Sequence, residues 1–148
     1  MEGEFEKVGI IGIADKTNSS SLYYLEKGIL RIFFIHDMKT FSMRFNFNKE
    51  NLKEILDHIS SLEKIRNEDY ESYKHEEFVY RSVLIDHSNV IVICKCITDD
   101  FWTLDFIGSI SGREKPFNYA GLKFWRIDNG RFYQFKNDLK EIYENWKE

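Results

Sequence analysis

Cysteine and proline are nearly absent from this chain: two cysteines and one proline stand among 148 residues. Cys94 and Cys96 are one residue apart, and two cysteines at that spacing on an extended strand cannot easily bridge each other. A disulfide framework is thereby excluded, and the chain suits a reducing cytosol. The lone Pro116 and only eight glycines exclude a fibrous or low-complexity chain. Long hydrophobic runs are also missing. No window approaches the ~20 apolar residues of a membrane-spanning helix. The run Val8–Ala14 is too short for a secretory signal, has no basic region before it, and ends at Asp15. Positive charge is in the minority, with 21 Lys and Arg against 25 Asp and Glu, a net charge of −4. Nucleic-acid binders carry a basic patch or stripe. Here the basic signals are as short as Arg113 with Lys115, and acids interrupt them everywhere. A nucleic-acid partner is not expected, and a basic protein partner suits the sign better.

What is present is a full hydrophobic complement. Apolar residues make up 43% of the chain and aromatics 16%, with thirteen Phe and eight Tyr. The length suggests one domain over residues 1–148. A chain of this size buries roughly 68–70% of the surface its unfolded form exposes, so neither a disulfide nor a metal is needed to hold a core. There is no repeat, low-complexity tract or interdomain linker.

The apolar spacing changes period along the chain. "FEKVGIIGIAD", "LYYLE" and "GILRIFFIHD" read as strands, the last apolar on both faces as a central strand is. In "KTFSMRFNF", Phe41, Met43, Phe45 and Phe47 share one face, with Arg44 and Asn46 on the other. Leu52, Ile55, Leu56, Ile59, Leu62 and Ile65 then follow helical spacing. Asn48 is a good N-cap, and Phe47 with Leu52 forms a hydrophobic staple. The expectation is a helix over about 49–65. "EEFVYRSVLID", "NVIVICKCI", "FWTLDFIGSI" and "GLKFWRI" read as four further strands. Phe132, Phe135, Leu139, Ile142 and Trp146 give a second amphipathic helix over about 131–146. Short turns between strands mean antiparallel pairing, and a helix with one apolar stripe needs a sheet to cover. The expected fold is α+β: one twisted antiparallel sheet of about 6–8 strands with both helices packed on it, on one face.

The stretch that most resembles chemistry is "VICKCITDDFW". Cys94 and Cys96 point to the same strand face as Val90 and Val92, and a soft-metal or redox pair is one reading. A zinc site needs about four ligands, usually with a second matching pair, and His36, His58, His75 and His87 supply no such spacing. Two small apolar side chains filling a core face is the favoured reading. Asp99 and Asp100 fall between two apolar strands, where Asp is a favoured turn residue. A hairpin tip lacks the shielding that splits the pKa values of a catalytic carboxylate pair. Trp102, Leu104 and Phe106 then carry the core face of the next strand. His36–Asp37 and Asp86–His87 sit at expected turns, and no G-x-S-x-G elbow accompanies them. "GIIG" and "GSISG" match no phosphate-binding loop. The aromatics of "GLKFWRIDNGRFYQF" fit core packing better than base stacking. No catalytic residue, cofactor or metal site is expected.

Two surfaces remain as candidates for recognition. The run "EKIRNEDYESYKHEE" (63–77) holds six acids against three bases, together with Tyr70 and Tyr73. A solvated helix end explains it; so does an acidic, tyrosine-bearing docking surface, since acidic rims steer basic partners. The other is the sheet face away from the helices. If the helices cover the Phe41/Phe45 face, Arg44, Arg81, Lys95, Thr103 and Asp105 should lie opposite, mixed with Val79, Val83, Ile91 and Ile93.

"FNFNKENLKEIL", the hairpin "VLIDHSNVIVIC" and the closing "LKEIYENWK" give a small, acidic, aromatic-rich α+β domain with a terminal helix. In size, order of elements and composition across the whole chain, this resembles the immunity proteins of bacterial polymorphic toxin and contact-dependent inhibition systems. The resemblance implies a cytoplasmic protein that neutralises one cognate toxin by covering its active site or an essential surface. A basic nuclease would suit the acidic balance. The expected partner-binding residues are Glu68, Asp69, Tyr70, Glu71 and Tyr73, with Asp99 and Asp100 as a second group. The rival expectation is a small-molecule-binding domain with a Phe-lined pocket between sheet and helices. An enzyme comes third.

Overall fold

A computed structural model describes residues 6–10, 20–26, 28–36, 39–66, 77–85, 89–99, 101–108, 110–112 and 120–146. The chain is α+β, and the strand pairings among the described residues are all antiparallel. The first four strands are β1 (Glu6–Ile10), β2 (Ser20–Glu26), β3 (Ile29–His36) and β4 (Lys39–Asn46). Helix α1 (Lys49–Glu63) follows. Then come β5 (Phe78–Ile85), β6 (Asn89–Cys96), β7 (Phe101–Gly108), β8 (Ile110–Gly112), β9 (Ala120–Asp128) and helix α2 (Asn129–Glu144).

The single sheet of 6–8 strands is corrected to two sheets. The first has the order β1-β2-β3-β4-β8, with β3 at its centre as its two apolar faces imply; the second has the order β5-β6-β7-β9. β7 is already flanked on both edges by β6 and β9. β4 therefore pairs beyond it, with β8. Only Ser109 separates Gly108 from Ile110, so the chain passes from one sheet directly to the edge of the other. Accumulated strand twist makes such division common in large antiparallel sheets.

Local chemistry starts α1 where expected. The Asn48 side chain accepts from the Asn51 backbone N–H at 2.7 Å, and the Asn51 side chain accepts from the Asn48 N–H at 3.2 Å. This reciprocal arrangement satisfies two donors that helix geometry leaves unpaired. Phe47 and Leu52, the staple pair, are both buried. The apolar stripe Leu52, Ile55, Ile59 and Leu62 lies against β5 and β6. Helix α2 starts two residues before the expected 131 and packs on β1, β2, β7 and β9, as well as on α1.

One core joins both sheets and both helices. Phe45 of the first sheet meets Phe106 of the second with ring centroids 5.7 Å apart. Phe132 of α2 stacks on Trp102 of β7 at 4.0 Å with a 2° interplanar angle. The Trp102 indole N–H donates to Asn129 Oδ1 at 3.2 Å, giving the buried indole the partner it needs. Tyr23 of β2 stands edge-on to Phe135 of α2 at 5.4 Å.

Candidate protein-binding surface

The register of the second sheet sorts its side chains. Lys95 lies opposite Trp102, Ile93 opposite Leu104, and Ile91 opposite Phe106. β5 extends the same rows, Val79 facing Lys95, Arg81 facing Ile93 and Val83 facing Ile91. Since Trp102 stacks on α2, this is the inner, helix-covered face. Trp102, Leu104 and Phe106 are core residues as expected. The expected outer grouping of Val79, Val83, Ile91 and Ile93 with Arg81 and Lys95 is overturned, because all six share the row parity of Trp102. The Lys95 ammonium donates to the Ile65 carbonyl at 2.7 Å and sits 5.7 Å from the Trp102 ring centroid. A long amphipathic stem allows that combination of apolar contact and polar anchoring.

Thr103 and Asp105 do lie on the outer face, and Arg44 of the first sheet is exposed away from the core residues Met43 and Phe45. Cys94 faces Thr103 across the ladder, so Cys94 and Cys96 belong to the outer face and not to the helix-covered one. They are nevertheless buried, at 1% and 2% exposure, and both thiols are free. Cys96 Sγ is 3.6 Å from Thr98 Oγ1. Among the described residues, no three His, Cys, Asp or Glu side chains are grouped to hold a metal ion. His58, on the exposed side of α1, stands 3.5 Å from Glu54.

Of the expected partner-binding residues, Asp99 is described and exposed. Glu68, Asp69, Tyr70, Glu71, Tyr73 and Asp100 lie outside the described residues. Their flanks are described, and both are tied to the same end of β6. On one side, Lys95 holds the Ile65 carbonyl just past α1. On the other, the Glu77 carbonyl accepts from the Ile97 N–H at 2.7 Å, and its carboxylate accepts from the Thr98 hydroxyl at 3.1 Å. Glu77, the last acid of the 63–77 run, is exposed beside the turn that carries Asp99. Next to them Phe78 and Phe101 meet edge to face, 5.9 Å between centroids. Two acidic residues that are 22 apart in sequence (77 and 99) thus stand at the same end of the second sheet, Glu77 bonded to Ile97 and Thr98 just before Asp99.

Sequence reasoning missed a second feature of this sheet. Tyr80 and Leu84, on the outer face of β5, are 52% and 60% exposed. Period-two alternation in "FVYRSVLI" contains the signal, since Tyr80, Ser82 and Leu84 share one face. Leu84, Val90 and Ile107 follow one another across three strands, with Val90 and Ile107 half-buried.

The described residues form a cavity between the two helices. It has a volume of about 350 Å³ and is lined by Lys53, Asp57, Ser60, Lys136, Lys140 and Tyr143 among others. Cross-helix and in-helix pairs occupy much of its charge. Lys136 binds Glu63 at 2.9 Å, and Lys53 binds Asp57 at 2.8 Å. The Asp57 carboxylate raises the Lys53 pKa by holding its ammonium form. No helix among the described residues is long and apolar enough to cross a membrane. Comparison with protein-family models, with curated proteins and with solved structures returned no match.

Proposed function

We propose that this chain is a cytoplasmic protein-binding module, an immunity protein that neutralises a cognate toxin by covering its active site or an essential surface. The observation that supports this reading most is the placing of Glu77 and Asp99 at the same end of the second sheet, through the Glu77–Thr98 hydrogen bond. The flanks of the acidic, tyrosine-bearing segment are fixed there too. An acidic surface on a chain of net charge −4 attracts a basic partner and speeds its association. Glu68, Asp69, Tyr70, Glu71 and Tyr73 form the main contact group in this reading, with Asp99 and Asp100 as a second group.

The test is affinity capture from lysate of the native host at low and moderate salt. The wild-type chain is compared with the double reversals E68K/D69K and E77K/D99K. One stoichiometric basic protein, weakened by salt and by either reversal, is expected. That protein should be toxic when expressed alone and harmless when co-expressed with this chain. Capture unaffected by both reversals would sink the assignment of the surface. A captured protein with no toxicity would sink the immunity reading. A co-purifying small molecule in place of a protein would favour the ligand-binding alternative.

A further inference from the structure

Strand β5 is an edge strand among the described residues, since it pairs with β6 alone. Its backbone polarity follows from one hydrogen bond. Glu77 and Ile97 continue the β5–β6 register, and the Ile97 N–H donates to the Glu77 carbonyl. In an antiparallel ladder, residues alternate between bonding the neighbour and turning away from it. Residues 79, 81, 83 and 85 therefore bond β6, while 78, 80, 82 and 84 direct N–H and C=O outward. The Arg81 side chain agrees, because its Nη1 donates to the outward Tyr80 carbonyl at 2.9 Å. A guanidinium stands where the N–H of an added strand would stand.

The exposed large apolar side chains of the described residues, Tyr80 and Leu84, are placed symmetrically about Ser82 on this same strand. We propose that two copies of this chain pair through β5, antiparallel about a two-fold axis at Ser82. The two four-stranded sheets then become one continuous sheet. In that register Tyr80 faces the partner subunit's Leu84, and Leu84 faces the partner subunit's Tyr80. Ser82 exchanges both backbone hydrogen bonds with the partner subunit's Ser82. The Tyr80 carbonyl exchanges the Arg81 guanidinium for the N–H of the partner subunit's Leu84.

Three features favour a second copy over a different protein. An isologous contact requires one patch to complement itself, and the Tyr80–Ser82–Leu84 row does so about its own midpoint. The row is uncharged, so two chains of net charge −4 meet there without like charges directly opposed. Aromatic–aliphatic cross-strand pairs stabilise such a ladder, and both copies cover a strand that is an edge among the described residues, and natural sheets tend to protect edges. The contact is separate from the acidic end of the sheet and does not depend on the toxin-binding reading.

The experiment is sedimentation velocity of the full chain over a rising concentration series, with S82P and L84E beside it. Proline is tolerated on an edge strand where the N–H points away from the sheet, and circular dichroism checks that both variants fold. A concentration-dependent dimer, lost in S82P and in L84E, is expected. S82C adds a test of register. Paired residues of a hydrogen-bonded site have Cα atoms about 5.5 Å apart, within disulfide reach. Mild oxidation should convert S82C to a covalent dimer and leave Q134C, exposed on α2, unlinked. A wild-type chain that stays monomeric throughout, a dimer that survives both S82P and L84E, or S82C linking no faster than Q134C overturns the proposal.

Discussion

The Tyr23 hydroxyl donates to the Asp138 carboxylate across the interface between the first sheet and α2, and both residues are buried. The two are 115 residues apart in sequence. A buried carboxylate needs such a donor, because desolvating it unpaired costs more than a hydrogen bond returns.

Tyr23→Phe keeps the ring and its edge contact with Phe135 and removes only the donor. Stability should fall by about 1–3 kcal/mol, the cost of leaving a buried polar group unsatisfied. Urea unfolding, read as a lower midpoint with an unchanged slope, measures it.

The same pair sets an alkaline limit. Burial raises the Tyr23 pKa, and the hydrogen bond to Asp138 raises it further. The folded chain therefore keeps this proton at pH values where the unfolded chain has lost it. The contribution is complete below about pH 10, the ordinary tyrosine value, and declines as pH rises beyond it. The stability gap between wild type and Y23F should be constant through neutral pH and should narrow above about pH 10. A gap that widens there would contradict the assignment.

Gly108 is fixed by a close approach. A Cβ at this position would lie 2.5 Å from Asn89 Oδ1 and 3.1 Å from Asn89 Cγ. Gly108→Ala should destabilise by about 1–3 kcal/mol, as overpacking does. Adding Asn89→Ala should recover part of the loss. A double-mutant cycle of thermal unfolding measures the coupling, and simple additivity would show that the two side chains do not compete for this space.

The N-cap of α1 is testable by itself. Asn48→Ala removes the acceptor for the Asn51 N–H and should cost about 1 kcal/mol. Asn48→Asp should restore most of it, read by thermal unfolding. An equal loss in both variants would place the contribution of Asn48 elsewhere.

Cys94 and Cys96 should be protected in the folded chain. At 1% and 2% exposure, neither thiolate is accessible to a water-soluble disulfide reagent. Titration should count no rapidly reacting thiol in buffer and two in denaturant. Rapid reaction under native conditions would show the outer face of β6 to be open.

Local pattern was enough for most elements, but "FWTLDFIGSI", which reads as one strand, is divided between β7 and β8 of different sheets. Period-two alternation placed the strands, and a change to helical spacing at Leu52 placed α1, capped by the Asn48 that precedes it. Those signals are carried by neighbours in the chain. Side-chain parity along β4, with Met43 and Phe45 inward and Arg44 outward, was legible for the same reason. Parity fixes only which residues go together. It does not say which of the two groups meets the helices, and in β6 both groups are apolar enough to serve. Ile91, Ile93 and Lys95 read as outward and Cys94 and Cys96 as inward until pairing with Trp102 and Thr103 decided otherwise.

Composition and periodicity by themselves determined an α+β chain with antiparallel strands, two amphipathic helices and no need of disulfides. Those properties follow from backbone geometry and the burial of apolar side chains, which act over a few residues. Tertiary structure alone decided the division into two sheets, because it depends on β7 having both edges filled so that β4 must turn to β8. It also decided that Glu77 stands at the same end of the second sheet as Asp99, through hydrogen bonds to Ile97 and Thr98 that close a long stretch of chain. It set Tyr80 and Leu84 on a strand that is an edge among the described residues, since an edge is defined by which strands pair and not by the residues of the strand itself.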